Sequence, residues 1–84
     1  MSIFRKIINH KVNTMTGKEL FSYAQQFQIQ VSPEDAYRVG DFLRGKNFDI
    51  FHPEQKEMII YEIGKITSVP IAKQVEKLFT SITK

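Results

Sequence analysis

The 84 residues contain two imidazoles, His10 and His52, and neither stands in a known catalytic or metal-ligand spacing. Asp49, His52, Glu54 and Glu57 are ligand types that hard or borderline cations use. Their spacing matches no known ligand pattern, and His52 reads equally well as a helix-start residue, so no metal is expected. The chain has no cysteine, which removes thiolate nucleophiles, thiolate metal sites and disulfides and suits a reducing cytosol. No serine lies in a nucleophile-elbow pattern. The carboxylates Glu34 and Asp35 fall in the first turn of an expected helix, where the helix dipole already accounts for them.

Arg44-Gly45-Lys46-Asn47 is the sharpest local motif. A glycine between two cations at a helix end can offer backbone N–H groups to a phosphate. It reads more simply as a glycine that stops a helix, with bases placed at the negative end of its dipole. No Walker or dinucleotide-binding pattern is present. The sequence predicts no enzymatic activity, no cofactor and no small-molecule substrate.

The elements that would position any site are marked by regularly spaced helix starts. Thr16-Gly17-Lys18-Glu19, Ser32-Pro33-Glu34-Asp35 and His52-Pro53-Glu54-Gln55 each place a capping group first and an acid or amide three residues later. Pro33 and Pro53 suit the first helical position, where a missing N–H costs nothing. With a further start at Ser68, these signals predict one all-α domain over 1–84, a compact bundle of about five short helices. A chain this short buries only about 60–65% of its unfolded surface. Its 42% hydrophobic content is too high for a disordered chain. Ile3 to Ile8 is broken by Arg5 and Lys6, and the longest unbroken apolar run is Met58 to Tyr61, so neither a signal peptide nor a membrane span is expected.

A first helix over 3–12 places Ile3, Phe4, Ile7, Ile8 and Val12 on one face, with Arg5, Lys6, Asn9 and His10 outward. Such a basic amphipathic helix also suits a membrane surface. Because a small domain needs that apolar face, it is expected in the core, and burial of Ile3, Phe4 and Ile7 is the discriminator. The second helix covers 17–28 with Leu20, Tyr23, Ala24 and Phe27 inward. The third runs to 44 with Ala36, Val39, Phe42 and Leu43 inward, and Gly45 stops it. The fourth, over 53–66, is apolar over a wide arc and is expected to be central, with Gly64 permitting close approach of a neighbour. The fifth begins near Ser68, and Ala72, Val75, Phe79 and Ile82 make its stripe.

Segments 28–31 and 48–51 read as extended and are candidates for a tiny two-stranded ribbon. Helix starts at 16, 32, 52 and 68 hint at a duplicated helical hairpin, but two copies with apolar matches are weak support for repetition. Residues 1–18 carry four bases and no acid, 19–62 four bases against eight acids, and 63–84 four lysines against Glu76. The ends are basic and the middle acidic, which is either a mutually compensated surface or a basic face for an anionic partner. A helix-turn-helix reading fails because Gln28 stands where its turn wants glycine. Its recognition helix would also aim Glu34 and Asp35 at a polyanion.

Phe42-Leu43-Arg44-Gly45-Lys46-Asn47, then Ile50-Phe51 and Ile66-Thr67-Ser68, resemble a small bacterial family. Ile8-Asn9-His10-Lys11 and Thr16-Gly17-Lys18-Glu19-Leu20 fit it too. The chain is similar over nearly its whole length to the YqfT-like proteins of bacillus-type bacteria. The resemblance implies a bacterial cytosolic origin and, because that family has no assigned activity or site residues, carries no mechanism across.

The function expected is a non-enzymatic cytoplasmic interaction module that binds a protein partner or itself. Its expected contact surface is Phe48, Ile50 and Phe51 with Arg44 and Lys46, large apolar groups flanked by a cation as in interface anchors. The alternative is a nucleic-acid accessory protein using Arg5, Lys6, Lys11, Lys73 and Lys77. A membrane contact through the first helix ranks third.

Overall fold

The structure, a computed structural model, describes residues 3–83. It consists of α1 (Ile3–Thr14), α2 (Gly17–Gln26), α3 (Pro33–Leu43), α4 (Pro53–Ile66) and α5 (Val69–Thr83).

Local capping sets the boundaries as expected. The Thr16 hydroxyl accepts the Glu19 N–H at 3.1 Å while the Glu19 carboxylate accepts the Thr16 N–H at 3.3 Å. Ser32 accepts the Asp35 N–H at 3.2 Å, with Pro33 at the first helical position. His52 starts α4 without a side-chain capping bond. Its backbone carbonyl takes the Lys56 N–H instead, at 2.9 Å.

α2 stops two residues earlier than expected. Gln28 adopts a left-handed conformation, φ 59°. Its N–H reaches the Gln25 carbonyl at 3.1 Å and the Ile29 N–H reaches back to the Ala24 carbonyl at 2.8 Å. This is a Schellman stop made without glycine, and it buries Ile29 as its apolar contact. The expected ribbon between 28–31 and 48–51 does not form, and no strand occurs among the described residues. In the first segment the Gln28 and Ile29 N–H groups close the end of α2. In the second, the Phe48 and Ile50 N–H groups go to Asn13 and Asn9 of α1, and those of Asp49 and Phe51 to the side chains of Gln55 and Asp49.

α2 packs on α3 and α4 on α5 as two antiparallel hairpins. The helix in contact with three others is α3, which touches α1, α2 and α4, and not α4 as the sequence reading expected. Ala36 and Gly40 are small enough to admit close neighbours on α3, whereas the wide apolar arc of α4 leaves Met58 and Tyr61 exposed. Val12, Val39, Leu43, Ile50, Ile59 and Ile63 are central to the core, with Phe79 closing it from α5. The two hairpins are pinched at opposite ends. Gly17 meets Tyr37 and Gly40 far from the α2–α3 turn, while Gly64 meets Ala72 beside the α4–α5 turn, the close approach its sequence position suggested.

The expected core face of α1 is corrected. Val12 is buried and Ile8 half-buried, but Ile3, Phe4 and Ile7 are 77%, 57% and 61% exposed. α1 is rotated so that Asn9 and Asn13, with Val12, face the domain. That rotation carries Ile3 and Ile7 outward.

A β-carbon on Gly17 would lie 2.6 Å from the Tyr37 Cα. Gly17→Ala therefore destabilises by about 1–3 kcal/mol through overpacking. Gln28→Gly relieves left-handed strain and stabilises by up to about 1 kcal/mol, a rise of about 4–8 °C in Tm. Thermal melts of the two variants should move in opposite directions.

Candidate functional site

Residues 44–52 form no regular element, yet the N–H groups of 48–52 are all bonded, and α1 supplies several of the bonds in this segment. The Asn13 Oδ1 accepts the Phe48 N–H at 2.7 Å and its Nδ2 donates to the Phe48 carbonyl at 2.8 Å. One turn earlier, Asn9 Oδ1 accepts the Ile50 N–H at 3.0 Å and Nδ2 donates to the Asp49 carboxylate at 2.9 Å. The Gly45 N–H donates to the Asn13 carbonyl at 3.1 Å. Gly45 does adopt positive φ, 77°, but its N–H is committed to α1 and does not face an anion. Asp49 also accepts the Phe51 N–H at 3.0 Å, and its own N–H donates to the Gln55 side chain at 2.9 Å.

This stitching decides where the expected contact residues lie. Ile50 is fully buried in the core and is not available to a partner, which corrects its assignment as a contact residue. Phe48 and Phe51 are half-buried and pack on the core, Phe48 with its ring 5.4 Å from that of Phe42. Arg44 pairs with Asp41, and the Lys46 ammonium donates to the Phe42 carbonyl and lies 4.3 Å from its ring. These five residues close one end of the bundle. The apolar groups of this segment suit an end plug of the bundle as well as an exposed patch, and the partners that decide between them, Asn9 and Asn13, lie 35 to 41 residues away.

The five basic residues differ in their surroundings. The Arg5 guanidinium lies over the Phe51 ring at 5.1 Å, and Lys11 pairs with Glu19. Lys6, Lys73 and Lys77 are exposed. α1 and α5 have no direct backbone contact and face each other across a cavity.

That cavity has a volume of about 330 Å³. Ile8, Met15, Leu20 and Phe27 of the amino-terminal part form one side, and Ile71, Val75 and Leu78 of α5 the other. Val39, Leu43, Ile50 and Ile63 are its floor. Its polar side chains are Lys11, Tyr23 and Thr67. Lys11 is paired with Glu19, and the Thr67 hydroxyl donates to the Ile63 carbonyl at 2.6 Å. Lys11 and Tyr23 are the titratable side chains in this lining. Sealed, a void of this size would cost about 8 kcal/mol at ~24 cal/mol per Å³, comparable with the whole stability of a small domain. It is an open apolar cleft that complements an apolar surface. Its sequence signal was present in apolar residues without an assigned neighbour, Met15, Val31 and Ile71 among them.

Two carboxylates are held below their ordinary pKa. For Asp49 the first cause is the Asn9 amide bonded to its charged form, opposed by burial and reinforced by the Phe51 N–H. For Glu19 the first cause is the bond from Lys11, whose own pKa is raised by the same contact. Among the described residues no three His, Asp or Glu side chains converge as a metal site would need. No described helix is long and apolar enough to cross a membrane.

The architecture is thus that of a small all-helical domain with a bonded loop at one end and an apolar cleft between its hairpins. The chain belongs to DUF2624, a family described as protein of unknown function, which it matches over residues 1–83. It is 31% identical over 83 residues to the uncharacterized protein YqfT of Bacillus subtilis (strain 168), covering 99% of each chain. The likeness read from the motifs therefore extends over the whole chain. No solved structure matches it at a significant level.

Asn13→Ala leaves the Phe48 N–H and carbonyl unpaired in a half-buried site and costs about 2–3 kcal/mol in chemical denaturation. Because the folded pKa of Asp49 is depressed, its stabilising contribution is complete above its ordinary value of 3.8 and is lost as the pH falls through the folded value. Asn9→Ala removes the main cause. Its stability at neutral pH falls, and its further loss on acidification is shallower than that of the parent.

Proposed function

We infer that the protein is a non-enzymatic cytosolic interaction module that takes the apolar face of an amphipathic helix from a protein partner into the cleft between its hairpins. The observation that carries this reading is the cleft itself: lined by apolar side chains apart from Lys11, Tyr23 and Thr67, and bounded by α1 and α5. Their 12 and 15 residues span about 18 and 22 Å, the length of a three- or four-turn partner helix. An inserted helix would fill the space with side chains three and four residues apart.

Charge supports an acidic partner. α1, α2 and α5 carry Arg5, Lys6, Lys11, Lys18, Lys73 and Lys77 against Glu19 and Glu76. α3 and α4, on the other side, carry more acids than bases. A helix with acidic residues flanking its apolar stripe would meet complementary potential on entry. On this reading the contact surface is the cleft, which has Ile50 in its floor but neither Phe48 nor Phe51 in its lining. The nucleic-acid reading has less support, since Lys11 is committed to Glu19 and Arg5 to Phe51.

The cysteine-free chain permits a site-specific test. Phe27, exposed at the cleft margin, is replaced by cysteine and labelled with a photocrosslinker, and Arg38→Cys on α3 serves as the control. The expected product joins the Phe27 position to an amphipathic, acid-flanked segment of another protein. A synthetic peptide of that segment should bind the purified chain and lose at least about tenfold in affinity with Phe27→Asp. Crosslinks to nucleic acid, to a second copy alone, or equally from both positions would overturn the reading.

A further inference from the structure

A second surface, independent of the cleft's occupant, lies on the first two turns of α1. Ile3, Phe4 and Ile7 fall within one arc of that helix, and each is more than half exposed. α1 carries Arg5, Lys6 and Lys11 and no acidic residue. Lys6 and His10 flank one side of the apolar arc, and Lys11 continues it one turn on.

We propose that this end of α1 seats on an anionic lipid surface, with Ile3, Phe4 and Ile7 entering the boundary between headgroups and acyl chains. Three features select lipid over protein. The apolar contact consists of three side chains, whereas a stable protein interface engages about 20–30 residues on each side. A membrane accepts a small protruding tip, and amphipathic helices with basic polar faces bind there. Charge also disfavours a second copy, because pairing two α1 helices would bring like cations together. Anionic headgroups supply the opposite sign, and their attraction weakens with salt. Insertion here leaves the core untouched, since Val12 and Ile8 point into the domain and Asn9 and Asn13 hold the helix to residues 45–50.

The chain contains no tryptophan, so Phe4→Trp is a unique reporter at an exposed site. The intact protein carrying it is titrated with phosphatidylcholine vesicles with and without a one-third share of phosphatidylglycerol. Expected are a blue shift of emission and quenching by brominated acyl chains with the anionic vesicles, at least about tenfold tighter than with the neutral ones. In the parent chain, Ile7→Asp should abolish cosedimentation with anionic vesicles while the helical signal is unchanged. Lys6→Glu should weaken it and flatten its salt dependence, and Arg38→Glu on α3 should leave it unaltered. Unchanged tryptophan emission at saturating anionic lipid overturns the proposal, as does sedimentation that survives Ile7→Asp. Binding to acidic proteins without vesicle binding would assign the tip to a protein partner and equally overturn it.

Discussion

The carboxamide of Asn13 does for residues 44–52 what a neighbouring strand does in a sheet. It pairs with both the N–H and the carbonyl of Phe48, and Asn9 repeats half of that pattern at Ile50. Polar backbone in a half-buried segment must find partners, and here no strand is present to offer them. With those bonds made, Ile50 can be driven fully into the core between α1 and the two hairpins. The same contacts fix the rotation of α1. That rotation decides which of its apolar residues face the domain, which line the cleft and which are left outside.

The two hairpins add a second constraint. Gly17 against Tyr37 and Gly40 draws α2 and α3 together at one end, while Gly64 against Ala72 draws α4 and α5 together at the other. Between α2 and α5 the side chains leave space unfilled. The cleft is lined by helical residues and by residues of the connections, Met15, Ile29, Val31 and Thr67 among them.

How much of this was readable in the sequence depends on how local the cause is. Thr16 and Ser32 announce helix starts because the capping bond closes within three residues. The hairpin order follows from the same signals and from short connections. Asn9 and Asn13 were not readable in the same way, since their partners lie 35 to 41 residues away and a polar residue on a helix defaults to solvent. Two asparagines four apart inside a helix are nevertheless a weak signal of their own, because asparagine disfavours helix interiors. Gln28 hid a helix stop because its left-handed turn usually carries glycine. The apolar face of α1 was read as core because periodicity counts apolar residues without showing how many the fold has room to cover.

The bonds from Asn9 and Asn13 also bear on how the domain comes apart. Among the described residues the backbone of α1 comes close to that of α3 alone, and it meets α2 through the side chain of Lys11. Its hold rests on a few amide contacts, the Lys11–Glu19 pair and the packing of Ile8 and Val12. So few contacts favour earlier exchange of its amides than of those in α3. α1 also contributes Ile8, Lys11 and Val12 to the lining of the cleft, above a floor that includes Val39, Leu43 and Ile63. The entrance to the apolar interior is thus bordered by the helix whose backbone has the least contact with the others.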